Sequence, residues 1–281
     1  MKHSIKAVAA AALAGFALGA HADPFQVTWD YAIYTTWTGS TFSSGGGSQT
    51  TNATELSWGS SAAGAHHTIT GASAENSRSA LVLDGAGSAE TPNEGTVATN
   101  VITPETVGKV THYNNPIAGS FATLTSASLT TVLTLTPKDP AGTTIDPPLS
   151  LLFTVNFKET TNSTGTCVIE PAPGFGPCPD IFVLTPDSLD QQFKYNDIWY
   201  TVNLVPAATG FYSLPAAACT TTGATAPCFG FWTEESSQEF EVFHLLISGD
   251  KIYETPEPGM IGLLGLGLLG AVGASRRRRK S

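Results

Sequence analysis

The chain has 281 residues, with 23 acidic side chains against 13 basic ones and a formal net charge of −10. Seven of the basic residues sit at the two ends (Lys2, Lys6, Arg276, Arg277, Arg278, Arg279 and Lys280), so the part between them carries about −17. Such a surface repels phosphate backbones and anionic lipid, which excludes nucleic-acid binding.

The first predicted element is a leader. Lys2 and Lys6 precede an apolar run from Ala7 to Ala20, and Ala20-His21-Ala22 is a small-x-small cleavage site. This order of charge, apolar run and cleavage site predicts a secretory signal peptide over residues 1–22. Residues 23–254 then suffice for one all-β domain, or two small ones, and one is expected. Its first strand is expected over Asp23–Thr36, followed by a flexible loop over Ser43–Ser48 (SSGGGS). Short strands are expected over Thr54–Gly59 and Ala80–Asp84, with a polar loop over Ser88–Gly95. Ala122–Thr136 is Leu- and Thr-rich, and Pro137–Pro148 is a Pro/Gly/Asp loop. Leu149–Phe157 alternates at Leu151, Phe153, Val155 and Phe157, which predicts a strand with one buried face. Ile181–Leu184 is a short apolar strand, Gln192–Val205 a hairpin turning at Asn196-Asp197, and Glu239–Ile247 a last strand. Turn signals every ten residues or so and no internal helix predict an antiparallel β-sandwich, jelly-roll or immunoglobulin-like. Cys167, Cys178, Cys219 and Cys228 are an even set in an exported chain, and their spacing favours Cys167–Cys178 and Cys219–Cys228 disulfides.

The last element is the tail, residues 255–281. Pro256-Glu257-Pro258 leads into an uncharged Gly/Leu run from Met260 to Ser275, then Arg276, Arg277, Arg278, Arg279 and Lys280. The apolar run is a short transmembrane helix and the basic cluster its stop-transfer signal. These three parts in this order resemble the PEP-CTERM sorting signal of Gram-negative bacteria. The resemblance implies that an exosortase recognises and cuts the tail, and that the mature protein reaches the cell surface or extracellular matrix. The membrane would hold the chain only until processing.

Candidate chemistry is sparse. In Val110–Ile117 (VTHYNNPI), an extended chain puts His112 and Asn114 on one face and Thr111, Tyr113 and Asn115 on the other. His112 and Asn114 would share a site; a strand-end turn with Asn side chains bonding local backbone is the plainer expectation. Thr111, His112 and Asn114 resemble the signature of the THxN family of PEP-CTERM proteins, which names a motif without giving it a role. Adjacent His66 and His67 point to opposite strand faces and make a poor chelate. His244 reads as a partly buried, hydrogen-bonded strand residue. Asp139, Asp146, Asp180, Asp187, Asp190 and Asp197 form no calcium-loop pattern. Glu234, Glu235, Glu239 and Glu241 would serve a glycosidase only if a cleft brought two within about 5–10 Å. Trp29, Tyr31, Trp37, Trp199, Tyr200 and Trp232 are candidates for a sugar-stacking platform, though most aromatic residues of a sandwich are core.

The sequence therefore predicts an exported, non-enzymatic protein of the cell surface or matrix. Its expected partners are an exosortase, extracellular polysaccharide and, transiently, the inner membrane. No metal, cofactor or catalytic residue is assigned. A secreted carbohydrate-active hydrolase and a calcium-stabilised adhesion module are the alternatives.

Overall fold

A computed structural model describes residues 25–63, 67–101, 105–162, 167, 178–186, 190–207 and 212–250. The expected signal peptide, residues 1–22, and the sorting tail lie outside the described residues. The described residues from Phe25 to Gly249 group as one compact unit. The strands are β1 (Thr28–Phe42), β2 (Ser48–Thr51), β3 (Glu55–Gly59), β4 (Arg78–Asp84), β5 (Asn93–Ala98), β6 (Glu105–Asn114) and β7 (Leu124–Asp139). They continue with β8 (Leu149–Lys158), β9 (Asp180–Pro186), β10 (Asp190–Tyr195), β11 (Ile198–Pro206), β12 (Tyr212–Ser213), β13 (Phe229–Thr233) and β14 (Ser237–Gly249). One helix, α1 (Ala216–Thr222), lies between β12 and β13.

The strands form two seven-stranded sheets. The first runs β12-β13-β9-β8-β7-β1-β5 and the second β10-β11-β14-β6-β4-β3-β2. Neighbouring strands pair antiparallel, as in the long β1–β7 ladder and the β6–β14 ladder. Inward residues of both sheets share one apolar core, including Ile33, Leu133, Phe153 and Val155 from the first and Leu81, Val110, Val202 and Leu245 from the second. Period-two alternation is the cause. In β8 buried and more exposed residues alternate from Leu151 to Phe157, as the sequence predicts. The Asn196-Asp197 hairpin turn also forms, with positive φ of 46° and 58° at these two residues, the backbone of a type I′ turn.

Several boundaries differ from expectation. The first strand starts at Thr28 and runs on to Phe42. The SSGGGS loop is pinned rather than free: the Gly46 N–H donates to the Ser120 carbonyl at 2.8 Å, and Gly45 packs so closely on Ala122 that a Cβ would collide with its backbone. The Ser88–Gly95 segment, predicted as loop, ends in β5, which starts at Asn93. An internal helix exists, contrary to expectation. α1 opens within the Pro-Ala-rich stretch before Cys219 and stops at Gly223, whose φ of 83° suits a glycine cap.

The spacing-favoured disulfides are present, Cys167–Cys178 and Cys219–Cys228. The second staples α1 to the start of β13. Ala218, Cys219 and Leu214 pack there on Ile181, Val183 and Trp232, the outer residues of β9 and β13. The inner residues of the same two strands are Asp180 and Phe182 on β9 and Phe231 and Thr233 on β13. The rings of Phe182 and Phe231 stack at 4.6 Å between centroids.

A buried acidic cluster at one end of the core

The inward positions of four strands converge on a polar cluster. On β6 the inward series Val110, His112, Asn114 turns from apolar to polar, and both polar side chains are 0% exposed. Beside them β9 contributes Asp180, which pairs in register with Thr233 of β13 and is 1% exposed. Glu159 follows the last inward apolar residue of β8, Phe157, by one pleat. Glu235 lies in the tight turn that carries the chain from β13 to β14. Trp58 of β3 closes the side, its ring near-parallel to His112 at 6.0 Å, while Phe157 meets the His112 ring edge-on at 5.0 Å.

The hydrogen bonds satisfy part of the cluster and leave other atoms bare. The Trp58 indole N–H donates to Glu159 Oε2 at 2.8 Å, and the Thr160 backbone N–H donates to Asp180 Oδ1 at 2.8 Å. Asn114 donates through Nδ2 to the Thr233 carbonyl at 3.0 Å. Asn114 Oδ1, Glu235 Oε1 and both His112 ring nitrogens are buried with no hydrogen-bond partner in the protein, while the Glu159 and Asp180 carboxyl groups hydrogen-bond each other. Leaving such groups unpaired is costly.

Burial sets the protonation states. It drives His112 down to about 3, so the ring is neutral and its 3.9 Å approach to Asp180 Oδ2 is not an ion pair. Burial pushes Glu159 up to about 8, with the neighbouring Glu235 charge adding to the rise. Asp180 is held well above its usual range, first by burial and then by the Glu159 charge. Glu235 is raised to about 7, again by burial. Three carboxyl groups thus crowd a space that favours their neutral forms.

The THxN residues divide. His112 and Asn114 share the cluster, as their common strand face predicts. Thr111 faces outward and donates to Asp84 Oδ2 at 2.7 Å. Asn115 fulfils the plainer expectation: it braces a turn by accepting from the Thr70 N–H and donating to the Thr68 and Arg78 carbonyls.

Residues 254–279 match the PEP-CTERM protein-sorting motif. The PEP-CTERM match takes in Pro256, Glu257, Pro258, Arg276, Arg277, Arg278 and Arg279, and Lys280 follows directly. The motif implies exosortase processing, export, and a cell-surface or extracellular destination. No curated protein matches the chain. Among the described residues no helix is long and apolar enough to cross a membrane, and the tail's apolar run lies outside them.

The remaining candidates are scattered over the described residues, except His66 and Asp187, which lie outside them. His67 pairs with Glu55 at 3.0 Å on the surface, and His244 Nδ1 lies 3.4 Å from Thr106 Oγ1. Of the six aromatic candidates only Trp199 is exposed, at 56%; Trp29, Tyr31, Trp37, Tyr200 and Trp232 are core. Glu241 points inward and is 1% exposed, while Glu239, beside it on the same face, is not buried. A cavity between the sheets is lined by Leu83, Val110, Leu129, Phe153, Leu204 and Phe243, with no carboxylate among them. Sequence reasoning missed Glu159 and Trp58. The available signal was parity: counting by twos from Phe157 puts Glu159 where an apolar residue belongs.

Proposed function

We propose that the chain is a non-enzymatic protein of the Gram-negative cell surface or extracellular matrix that associates with exopolysaccharide. In this reading residues 1–22 are the leader and residues 23–254 the secreted β-sandwich. Residues 255–281 are a signal held transiently in the inner membrane until an exosortase removes it. The PEP-CTERM match carries the address. The THxN resemblance at Thr111, His112 and Asn114 supports placement among proteins that share this delivery route.

The ligand class rests on the outer face of the second sheet. Trp199 on β11 is 56% exposed and Phe240 on β14 is 51% exposed. Val242, His244 and Leu246 lie between them on the outer side of β14, all half-buried. The strip is roughly 30 Å long at about 3.4 Å per strand residue. The Lys109 ammonium lies 5.2 Å over the Phe240 ring, so Trp199 is the open flat ring on which a sugar face of a polymer would stack, with Phe240 and Lys109 at the far end of the strip. A hydrolase is less well supported, because the carboxyl pair of Glu159 and Asp180 is buried inside the core.

The test is co-sedimentation of the secreted protein with the host's own exopolysaccharide. Saturable binding weakened roughly tenfold by Trp199→Ala, an expected loss of about 1–2 kcal/mol of stacking, supports the reading. Binding unchanged in both Trp199→Ala and Phe240→Ala contradicts it.

A further inference from the structure

We infer that the end of the core holding Glu159, Asp180 and Glu235 is a pH-sensitive latch. It stays closed while these carboxyl groups keep their protons. Their ionisation, as the surrounding pH rises, opens it and frees residues 159–162 and the turn between β13 and β14. The inference is independent of the polysaccharide reading.

Three observations carry it. First, the pair joins two strand ends: Glu159 directly follows β8 and Asp180 opens β9. Their carboxyl groups hydrogen-bond each other, which requires a proton between them. Second, the chain beyond β8 hangs on this pair. The Thr160 N–H donates to Asp180 Oδ1 at 2.8 Å, the Thr160 hydroxyl donates to the Cys178 carbonyl, and Asn162 Nδ2 donates to the Ile117 carbonyl at 2.7 Å. Third, Glu235 is half-buried on a turn whose next residue, Ser236, has a φ of 58°, a left-handed conformation uncommon for serine. That turn gives an ionised Glu235 a short way to water.

Among the described residues little positive charge faces the pair. β6 presents His112, which burial keeps neutral, and β3 presents the Trp58 indole. β13 presents Thr233, and β14 presents two further acids, Glu239 opposite His112 and Glu241 opposite Val110. Lys158, on β8 itself, is the cation that acts on Glu159. Ionised carboxylates in this space repel each other across a medium that screens them poorly. Burial fixes the direction, raising Glu159 to about 8 and Glu235 to about 7 from an ordinary 4.5. The closed form is therefore favoured most below about pH 4.5, and that advantage is lost as pH rises through about 7 and 8. The sorting motif implies delivery outside the cell, where the pH of the medium acts on the latch directly.

The test is hydrogen exchange of the secreted protein from about pH 5 to about pH 9, read by mass spectrometry and corrected for the intrinsic pH dependence of exchange. Residues 158–162 and 178–182 are expected to exchange faster than the β1–β7 ladder at every pH, the mark of local opening. Their protection is expected to fall by roughly tenfold per pH unit for each proton released. Glu159→Gln, which keeps a hydrogen bond to Asp180 but does not titrate, is expected to flatten the fall, and Glu235→Gln to make it shallower. Glu241→Gln is expected to leave it in place. Protection independent of pH, protection equal to that of the β1–β7 ladder throughout, or a parent-like fall in both Glu159→Gln and Glu235→Gln would overturn the latch. So would a fall abolished by Glu241→Gln alone.

Discussion

The core has two tryptophan-centred ends built by the same two sheets, and they solve burial differently. At one end Trp29 meets Phe193, Tyr195 and Tyr200 edge-on at 5.1–5.4 Å. Its indole N–H donates to Thr99 Oγ1, Thr99 donates to the Gln26 carbonyl, and the Gln26 N–H donates to the Tyr200 hydroxyl. That chain of neutral groups leaves one bare acceptor, Gln26 Oε1. At the other end Trp58 donates into the Glu159 carboxyl, Glu159 and Asp180 hydrogen-bond each other, and the bare atoms belong to His112, Asn114 and Glu235. The first end is neutral and nearly satisfied. The second gathers three carboxyl groups whose protonated forms burial favours beside a neutral imidazole, a costly arrangement in a core.

Three substitutions sharpen this contrast. The largest effect is expected from Trp29→Ala, which should cost about 3–5 kcal/mol by urea unfolding. A smaller change in Trp29→Ala than in Trp58→Ala would reverse the roles of the two ends.

Glu241→Gln comes next. Burial lifts the Glu241 carboxyl from an ordinary 4.5 to about 7, so the folded chain keeps a proton that the unfolded chain releases. Its contribution therefore favours folding most at low pH and is lost progressively as pH rises from about 4.5 to about 7. The glutamine variant should lose less stability between pH 5 and pH 8 than the parent, by on the order of 1–3 kcal/mol. Parallel pH profiles of parent and variant would show that Glu241 is ionised in the fold.

Thr111→Val should do least. It removes an outward hydrogen bond to Asp84, worth about 1 kcal/mol. The core should stay packed, which separates the outward threonine from the inward histidine and asparagine of the same motif.

The all-β class, the two-sheet core, the Asn196-Asp197 turn and the close-spaced disulfides were legible because each rests on local signals. These are period-two alternation, turn residues and cysteine spacing. The common face of His112 and Asn114 was legible for the same reason. Their company was not. Asp180 and Thr233 reach them through the β9–β13 pairing, and Glu159 arrives from a different strand; such long-range register is not written in any one segment. α1 was hidden because Pro215, three alanines and a run of threonines read as loop, and its hold comes from packing on Trp232 and Ile181. The tail stands at the opposite extreme: its message is a linear motif read by an enzyme, so it needs no fold to be recognised.

The delivery of the whole molecule depends on that tail, and intact-mass measurement of the protein recovered from the host's surface fraction tests it directly. The account predicts a chain that begins at Asp23, ends close to Pro256-Glu257-Pro258, and lacks Arg276 to Lys280. A mass that retains the basic cluster would contradict it.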